Sequence, residues 1–475
     1  MIVPQTLRFP SKIADRSIFV YLAIQMSLIF LFPANFIGFQ WLSFGLFAVV
    51  FFFHNAVKLP AKWAKLPEKV FLKEAFRFAL LIRLVYVFFS YFYYTWMTGV
   101  PFEFGAADSR GYHEEALWVL REIDIGRFGH YLFQYIPLKG LSDSGWSLFL
   151  IPIYVIFRDA VLIPRIVNAL LSAWMVLLVY RLAKRNFGEG VARLSAILTA
   201  LLPTLIYYTG LHLKETLMVF LTIAFLNEAD KLIRRKTELW KSILSVSIIG
   251  GSLFLFRTVL GLSAFFALGI AVVFTSRMII NPGRKLNILI IVAFFGLLVG
   301  VRYFGDDIIR YAEESDSNQE SQMENYATRK GGNKLATLGN AFIFMPLMPI
   351  APFPTMVNAE QLNAQMINGA VFIKNAIAFF LFLAFFIFWR KKQIRFHLLL
   401  IFFFAAYLGI LGLSGFAFSE RFHMPVLPVS IIFVAVGINN YKSSSVQNYY
   451  HLYLLLVFAI VIGWNWFKLA GRGMV

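Results

Sequence analysis

A small set of charged residues stands beside long apolar segments, where ionisable side chains are costly and tend to be functional. One acid, Asp108, lies in the polar stretch GAADSRGYHEEA at 105–116. A carboxylate can take the proton from an attacking hydroxyl, and cations can stabilise a departing phosphate. The remaining charged residues of the set are His212, Lys214, Glu215, Arg257, Glu420, Arg421 and His423. Brought together, these residue types would suit group transfer from a phosphate ester, whereas any one of them alone could simply anchor a helix end at the membrane interface.

The composition identifies the environment of this set. The chain has 475 residues, of which 59% are hydrophobic and 15% charged, and Phe alone contributes 54. A soluble domain carries about 25% charged residues, so we predict an integral membrane protein. The chain contains no cysteine, which excludes disulfides, thiolate metal sites and cysteine nucleophiles. Because no long soluble insertion divides the sequence, residues 1–475 are predicted to form a single integral membrane domain.

Apolar stretches of about 20 residues, the length that crosses a bilayer, recur along the chain. They predict an all-α polytopic transmembrane helix bundle with about 13 crossings. The predicted crossings are 17–32, 36–56, 75–97, 161–181, 190–208, 212–232, 242–256, 258–276, 285–302, 371–389, 395–413, 422–438 and 449–468. The apolar segment 145–157 is shorter and contains Pro152, so it is predicted to be an interfacial or re-entrant helix.

The Lys and Arg residues predict the orientation of the bundle. Basic clusters at 58–77, 181–185, 231–236, 277–285 and 390–395 all fall on one side of the predicted membrane. The opposite loops are acidic: 99–145 holds seven acids and four bases, and 303–370 holds eight acids and four bases. By the positive-inside rule the basic side is cytoplasmic. The net charge of +19 therefore reflects topology and not nucleic-acid binding, and the Asp108 loop is predicted to face the periplasm or exterior of a bacterial inner (plasma) membrane.

The two acidic loops, 99–160 and 303–370, are long enough to form a site. In the first, Tyr112, Ala116 and Leu120 recur at helical spacing, which predicts amphipathic helices with Glu114 and Glu115 on the solvated face. An acid at 108 could also be the N-cap of a helix beginning at 109.

The second acidic loop contains two different kinds of sequence. Residues 342–354 are too rich in proline to form a spanning helix. The preceding polar part carries Arg329, Lys330 and Lys334, which could bind a pyrophosphate or an acidic glycan.

The order of several motifs resembles the GT-C superfamily of polytopic glycosyltransferases, which includes the dolichyl-phosphate-mannose protein mannosyltransferases and the bacterial lipid A aminoarabinose transferases. The matching segments are ADSRGYHEEA at 107–116, the apolar stretch 145–208, HLKETLMVFL at 212–221, FLFRTVLGL at 254–262 and ERFHMPVLPVSIIFVAVG at 420–437. The resemblance implies a GT-C-like core at 75–440. An extra helix pair with a basic cytoplasmic linker would precede it at 1–74, and a C-terminal helix would follow at 441–475.

The resemblance also implies roles for single residues. It makes Asp108 the catalytic base and a polyprenyl-phosphate sugar the donor. The substrate-binding candidates are Tyr112, His212, Lys214, Glu215, Arg257, Arg421 and His423. Glu215 could form an ion pair that positions Lys214 near the phosphate. No spacing specifies a metal site, although Asp108 with His212 or Glu215 could bind a divalent ion, and no other cofactor is indicated.

These observations predict a hexosyl- or pentosyltransferase that acts at the extracytoplasmic face. The chain has Asp-Ser at 108–109 where the protein mannosyltransferases have two acids, which favours a lipid-linked or cell-envelope glycan acceptor over a protein. A lipid-linked oligosaccharide polymerase or ligase is an alternative, but Arg-rich outer loops would be expected for it. A glycolipid flippase or transporter ranks third, because such proteins carry repeats and midplane charges. The expected partners are the polyprenyl-phosphate lipid, a glycan or glycolipid acceptor and membrane lipids, with no nucleic acid.

Overall fold

The computed structural model describes residues 7–131, 135–136, 144–234, 238–275, 347–358, 362–412, 418–441, 449–471 and 473–474. In these ranges the regular structure is helical, and the β-pairing is limited to one isolated bridge between Phe36 and Val357. The helices are α1 (Ser11–Leu31), α2 (Phe39–Lys62), α3 (Glu68–Thr98), α4 (Ala107–Asp124), α5 (Ser144–Phe157), α6 (Leu162–Phe187), α7 (Glu189–Leu201), α8 (Pro203–Thr209), α9 (Glu215–Ile233), α10 (Leu239–Phe254), α11 (Thr258–Thr275), α12 (Asn368–Arg390), α13 (Leu398–Gly412), α14 (Leu427–Tyr441) and α15 (Tyr450–Ala470). Short turns of helix occur at Phe128–His130, Leu362–Met366, Ile394–Phe396, Glu420–His423 and Met424–Val426.

Seven helical segments in the described residues are long and apolar enough to cross a membrane. They are α1, α2, α3, α6, α12, α15 and the continuous segment Glu420–Tyr441 that contains α14. An eighth results if α7 and α8, which meet at an angle of 49°, form one bent span. The chain is therefore a multi-pass helical membrane bundle. In its centre lie α12 and Glu420–Tyr441, which are mostly buried, whereas the other five are at most half buried.

The number of about 13 predicted crossings is not confirmed. The predicted crossings 242–256, 258–276 and 395–413 coincide with apolar helices that are shorter than a full span. The crossing predicted at 212–232 coincides with α9, which carries four charged residues and is not among the seven. The crossing predicted at 285–302 lies outside the described residues. The segment 145–157 forms the short helix α5, as its length indicated, and packs against α4.

Ion pairs gather several basic loops at one end of the helices, which we call the basic end. At this end the ammonium of Lys184 on α6 forms a salt bridge with the carboxylate of Glu68 on α3, with an N–O distance of 2.6 Å. Arg185 and Arg234 both bind Asp230 of α9, at 2.6 and 2.9 Å. The predicted clustering of the basic loops on one side is thus reproduced for the clusters that begin or end α3, α6 and α9.

A buried arginine donates hydrogen bonds to backbone carbonyls at the break between α7 and α8. Pro203 has no N–H, so it cannot donate to the carbonyl of Thr199 four residues earlier. The guanidinium of Arg83, on α3, donates instead to the carbonyls of Thr199 (3.3 Å) and Ala200 (3.1 Å) and to the hydroxyl of Ser172 (2.6 Å). Inside a membrane bundle every backbone polar group needs such a partner. Arg83 therefore has a structural role, and we do not assign it to a binding or catalytic site.

The proline-rich stretch is not a spanning helix where it is described. Residues 351–357 are buried and non-helical, and side chains from two spanning helices bind their backbone. The side chains of Asn375 and Lys374 donate to the backbone carbonyls of residues 350–352. Asn375 bonds the first and third, at 2.6 and 2.9 Å, and Lys374 bonds the second. Asn465 of α15 accepts from one N–H at 2.7 Å and donates to one carbonyl at 2.9 Å. Irregular backbone persists at membrane depth only with partners of this kind.

Close packing of α12 against α14 depends on Gly437. A Cβ at this position would lie 2.0 Å from the carbonyl oxygen of Phe380 on α12. Small residues at such crossings let membrane helices approach closely, and dispersion between the two backbones stabilises the pair.

Gly437→Ala is expected to destabilise the bundle by roughly 1–3 kcal/mol, because the two central helices must separate to accommodate one methyl group. Gly463→Ala on α15 is the matched control, since a Cβ there meets nothing within 4 Å. Thermal unfolding of both variants in detergent measures the difference. Equal melting temperatures for the two variants would contradict the packing argument.

Candidate functional site

A cavity of about 600 Å³, which we call the Asp108 cavity, opens beside the first turn of α4. Its walls come from the loop before α4, from α8, from the irregular segment 352–355 and from α15. Its charged and polar lining residues include Glu103, Asp108, Thr355, Asn363, Ser419, Glu420, Arg421 and Lys468. Two predicted site residues, Asp108 and Arg421, therefore line one cavity.

Asp108 lies within α4 and not before it. The helix begins at Ala107, so the interpretation of Asp108 as the N-cap of a helix beginning at 109 is wrong. An acid in the first helical turn is still favoured by the helix dipole. One oxygen of the Asp108 carboxylate, Oδ2, accepts a hydrogen bond from Nη1 of Arg421. The side chain remains 54% exposed, so the carboxylate is accessible from the cavity.

The carboxylate of Glu215 links two arginines beneath Asp108. Its Oε1 accepts from Nε of Arg421 and lies 3.5 Å from Nη2 of Arg257, and its side chain has no exposed surface. A carboxylate buried in this way is very costly unless cations pair with it. Because Arg421 also binds Asp108, the guanidinium is held on two sides and its orientation toward the cavity is fixed.

Arg257 is held between α10 and α11 by three partners. Its guanidinium carbon lies 3.9 Å from the centroid of the Phe422 ring, which is a close cation–π contact. Its Nη1 lies 3.3 Å from the hydroxyl of Tyr407, and that hydroxyl donates to the carbonyl of Phe422 at 2.9 Å. Tyr407 was not predicted, because one Tyr within an apolar run such as 398–412 gives no sequence signal.

Lys214 and Tyr112 complete this charged cluster. The buried Lys214 ammonium donates to the carbonyl of Phe256 at 3.0 Å, next to Arg257 in the chain. The Glu215 carboxylate is bound by the two arginines. The positioning of Lys214 by Glu215 stays a prediction. Burial raises the pKa of the Tyr112 hydroxyl, and the nearby charges of Glu215 and Arg421 also act on it.

The cluster has a formal charge of 3 − 2 = +1 when Lys214 is protonated; its members are Lys214, Arg257, Arg421, Asp108 and Glu215. Burial lowers the pKa of the Lys214 ammonium to about 7, so this excess is lost as the pH rises above that value. The cluster also lies far from the basic end, since Glu215 and Asp230 occupy the two ends of α9, about 22 Å apart at 1.5 Å per residue. The cluster and the ion pairs of the basic end are therefore separate groups of charges.

Six predicted residues lie outside the lining of the Asp108 cavity: Tyr112, Lys214, Glu215 and Arg257 of the charged cluster, and the two histidines. His212 is buried in an aromatic layer, with Nε2 3.3 Å from the hydroxyl of Tyr154. That hydroxyl lies 2.6 Å from Nδ1 of His113. His423 is also fully buried and does not line the cavity. Both are held in the fold close to the site, but the structure does not bring either one to the cavity wall.

Glu103 was not singled out by the sequence, yet it lines the Asp108 cavity. It was one of seven acids in its loop, and nothing in its spacing distinguished it. Its Oε1 accepts from the hydroxyl of Ser109 at 2.5 Å, and its buried Oε2 has no hydrogen-bond partner in the described part of the chain. Burial raises the pKa of the Glu103 carboxyl above its usual value. A buried acid with one oxygen unpaired can hold a proton beside the cavity.

Glu420 and Lys374 form a second buried pair, at 3.9 Å, and Glu420 lines the cavity. The hydroxyl of Thr204 lies 3.3 Å from the other oxygen of Glu420. Because Lys374 also donates to the irregular segment 351–357, this pair connects the cavity wall to the backbone that shapes it.

No group of three or more His, Asp or Glu side chains in the described residues is arranged to hold a metal ion. Asp108 and Glu215, which had been considered as metal ligands, are both bound by Arg421. The predicted anion-binding residues Arg329, Lys330 and Lys334 lie outside the described residues.

No protein-family model, curated protein or solved structure matches the chain. The interpretation of the site consequently depends on its own geometry and charges.

Glu103→Gln is expected to stabilise the protein increasingly as the pH rises. The pKa of the Glu103 carboxyl is raised above its ordinary 4.5 in the folded state, so the folded protein binds this proton more tightly than the unfolded chain does. The native carboxyl therefore costs stability as the pH rises above 4.5 towards its folded-state pKa. Glutamine keeps an acceptor for Ser109 and removes that cost.

Melting temperatures of the wild type and the variant, measured in detergent from about pH 4.5 to about pH 8, test this expectation. The exposed Glu114→Gln, on the same helix, is the matched control for loss of one charge. A difference between Glu103→Gln and wild type that is constant across this range would contradict a raised pKa.

Proposed function

We propose that this protein is a membrane glycosyltransferase that moves a sugar from a polyprenyl-phosphate donor to a lipid-linked or cell-envelope glycan acceptor. The observation that carries the proposal is the ion pair of Asp108 and Arg421 in the wall of a 600 Å³ cavity. Directly behind that pair, Glu215 holds Arg257 as well. An accessible carboxylate beside guanidinium cations is what sugar transfer from a phosphate requires.

Asp108 is the proposed base. Arg421 binds one of its carboxylate oxygens, which leaves the other oxygen for the hydroxyl of the acceptor. As the acceptor oxygen forms its bond to the anomeric carbon of the sugar, the hydroxyl proton passes to Asp108. The bond from the anomeric carbon to the phosphate oxygen breaks at the same time, and the polyprenyl phosphate leaves with that electron pair.

Arg421, which lines the Asp108 cavity, is the proposed ligand of the departing phosphate, and Lys214 and Arg257 behind it are proposed to add positive charge. Lys214, Arg257 and Arg421 are held by protein groups before the substrate arrives, and donors fixed in advance need no reorganisation during the reaction. Glu215 serves as their anchor, because its buried carboxylate keeps the two guanidinium groups at a fixed separation. In this proposal Glu215 is a positioning residue and does not touch the substrate.

The proposed location is the bacterial inner membrane, with the Asp108 cavity on the periplasmic or exterior side. The support is the separation of charge along α9, with the cavity cluster at its start and the Asp230 ion pairs of the basic end near its other end. Under the positive-inside rule the basic end faces the cytoplasm.

Asp108→Asn is expected to lower sugar transfer by about 10²- to 10⁴-fold, because the amide cannot accept the hydroxyl proton. The measurement is incorporation of labelled sugar in purified membranes from a panel of polyprenyl-phosphate hexoses and pentoses. Glu114→Gln removes an exposed acid from the same helix and should leave transfer unchanged. Transfer by Asp108→Asn at the wild-type rate would exclude Asp108 as the base. Movement of an intact glycolipid without bond formation would instead support a flippase.

Single-cysteine labelling tests the orientation, and the absence of native cysteine makes each variant unambiguous. Ile125→Cys lies just after α4 at a position that is 60% exposed, and it should react with an impermeant thiol reagent from outside intact spheroplasts. Arg77→Cys, at a position with a 61% exposed side chain in the basic cluster 58–77 at the start of the predicted crossing 75–97, should react only after lysis. The reverse pattern would place the Asp108 cavity on the cytoplasmic side.

A further inference from the structure

A second cavity, of about 910 Å³, lies at the other end of the bundle, where α12 ends and α13 begins. We call it the Lys392 cavity. Three cations line it, Arg390, Lys392 and Arg395, and the rest of its described lining is apolar. Nearby, Nδ1 of His397 lies 3.4 Å from Asn186, which donates to Asp230, so the cavity belongs to the basic end. The proposed sugar transfer does not use it.

The turn that ends α12 places a lysine where the backbone favours glycine. The N–H of Gln393 donates to the carbonyl of Phe388 at 2.8 Å, and the N–H of Lys392 donates to that of Trp389 at 3.1 Å. This hydrogen-bond pattern closes a helix through one residue in the left-handed region, which is usually glycine. Lys392 occupies that position with φ of 52°. Its side chain raises the energy of the turn, so the turn geometry alone does not explain a lysine here.

The four cations of the 390–395 segment do not all point the same way. The ammonium of Lys391 lies 3.4 Å from the side-chain oxygen of Asn440, and Lys391 does not line the cavity. The other three line it. The positive-inside rule accounts for cations in this loop but not for three of them lining one cavity.

The opposite wall of the Lys392 cavity suits a hydrocarbon chain. It is formed by Ile270 and Phe274 of α11 and by Phe402 of α13. Phe274 is 54% exposed, so this wall is accessible from the surface. The first residue of α13, Leu398, also lines the cavity, which brings the positive end of a helix dipole to its edge. Cations and a dipole at one side and an apolar wall at the other match a charged headgroup with an acyl chain.

We infer that the Lys392 cavity binds one anionic phospholipid from the leaflet that borders the basic end. The headgroup phosphate lies among Arg390, Lys392 and Arg395, and one acyl chain lies along Ile270, Phe274 and Phe402. Basic pockets between membrane helices bind anionic headgroups in this way. A free phosphate would satisfy the cations but would leave the apolar wall without a partner.

Native mass spectrometry of the purified full chain in detergent tests this inference, with phosphatidylglycerol or phosphatidylcholine added. We expect one phosphatidylglycerol adduct at about tenfold lower lipid concentration than the first phosphatidylcholine adduct. Lys392→Gly and Arg395→Gln should each weaken phosphatidylglycerol binding by about fivefold, the effect of one basic residue near an anionic lipid. Lys391→Gln removes the same charge from the same turn and should leave binding unchanged.

Lys392→Gly separates a lipid-binding role from a structural one. Glycine adopts the left-handed conformation at position 392 without strain. The melting temperature in lipid-free detergent should therefore stay equal or rise while lipid binding weakens. Equal binding of the two lipids, or equal weakening by Lys391→Gln and Lys392→Gly, would overturn the inference. Displacement of the lipid by inorganic phosphate at an equal concentration would also overturn it, because the apolar wall would then contribute nothing.

Discussion

The fully buried carboxylate of Glu215 accepts a hydrogen bond from Nε of Arg421 and lies 3.5 Å from Nη2 of Arg257. Removing a carboxylate from water is favourable only when cations compensate it, so α9, the segment 420–423 and the junction of α10 and α11 must meet around it. Arg421 also binds Asp108 on α4, and Arg257 also contacts Tyr407 on α13, so these two helices must meet the same cluster. A single buried charge therefore determines how five parts of the bundle are placed relative to one another at the cavity.

Buried cations in this bundle have two different kinds of partner. Arg83 donates to backbone carbonyls at a proline break, and Lys374 donates to a carbonyl of the irregular segment, so both replace hydrogen bonds that a continuous helix would have made. Arg257 and Arg421 are paired with carboxylates and lie at or next to a cavity. An ionisable residue inside a membrane protein is a functional candidate by default. Lys374 also pairs with Glu420 in the wall of the Asp108 cavity, so one residue can have both kinds of partner.

Charge is also separated between the two ends of the bundle. Glu215 and Asp230 are both in α9, yet one belongs to the cavity cluster and the other to the ion pairs of the basic end. With the apolar length of the helix between them, the two clusters hardly influence each other, so the charge beside the cavity is set by the residues around it. The Lys392 cavity adds a third arrangement, in which cations meet an apolar wall and, among the described lining residues, there is no carboxylate.

The sequence by itself determined that this is an all-helical, multi-pass membrane protein, because the free energy of transferring a segment into a bilayer is a property of its local composition. Helical spacing located α4, and helix-end charges identified Asp108, Lys214, Glu215, Arg257 and Arg421, which the structure brings together. Only the tertiary structure decided how many described helices are long enough to span and that Asp108 lies inside its helix. It alone also showed that Glu103 and Lys392 line cavities and that Tyr407 contacts Arg257. The partners Asp108 and Arg421 are 313 residues apart and Glu215 and Arg421 are 206 apart. Burial and pairing over such separations arise from the packing of distant helices, which no local pattern of residues encodes.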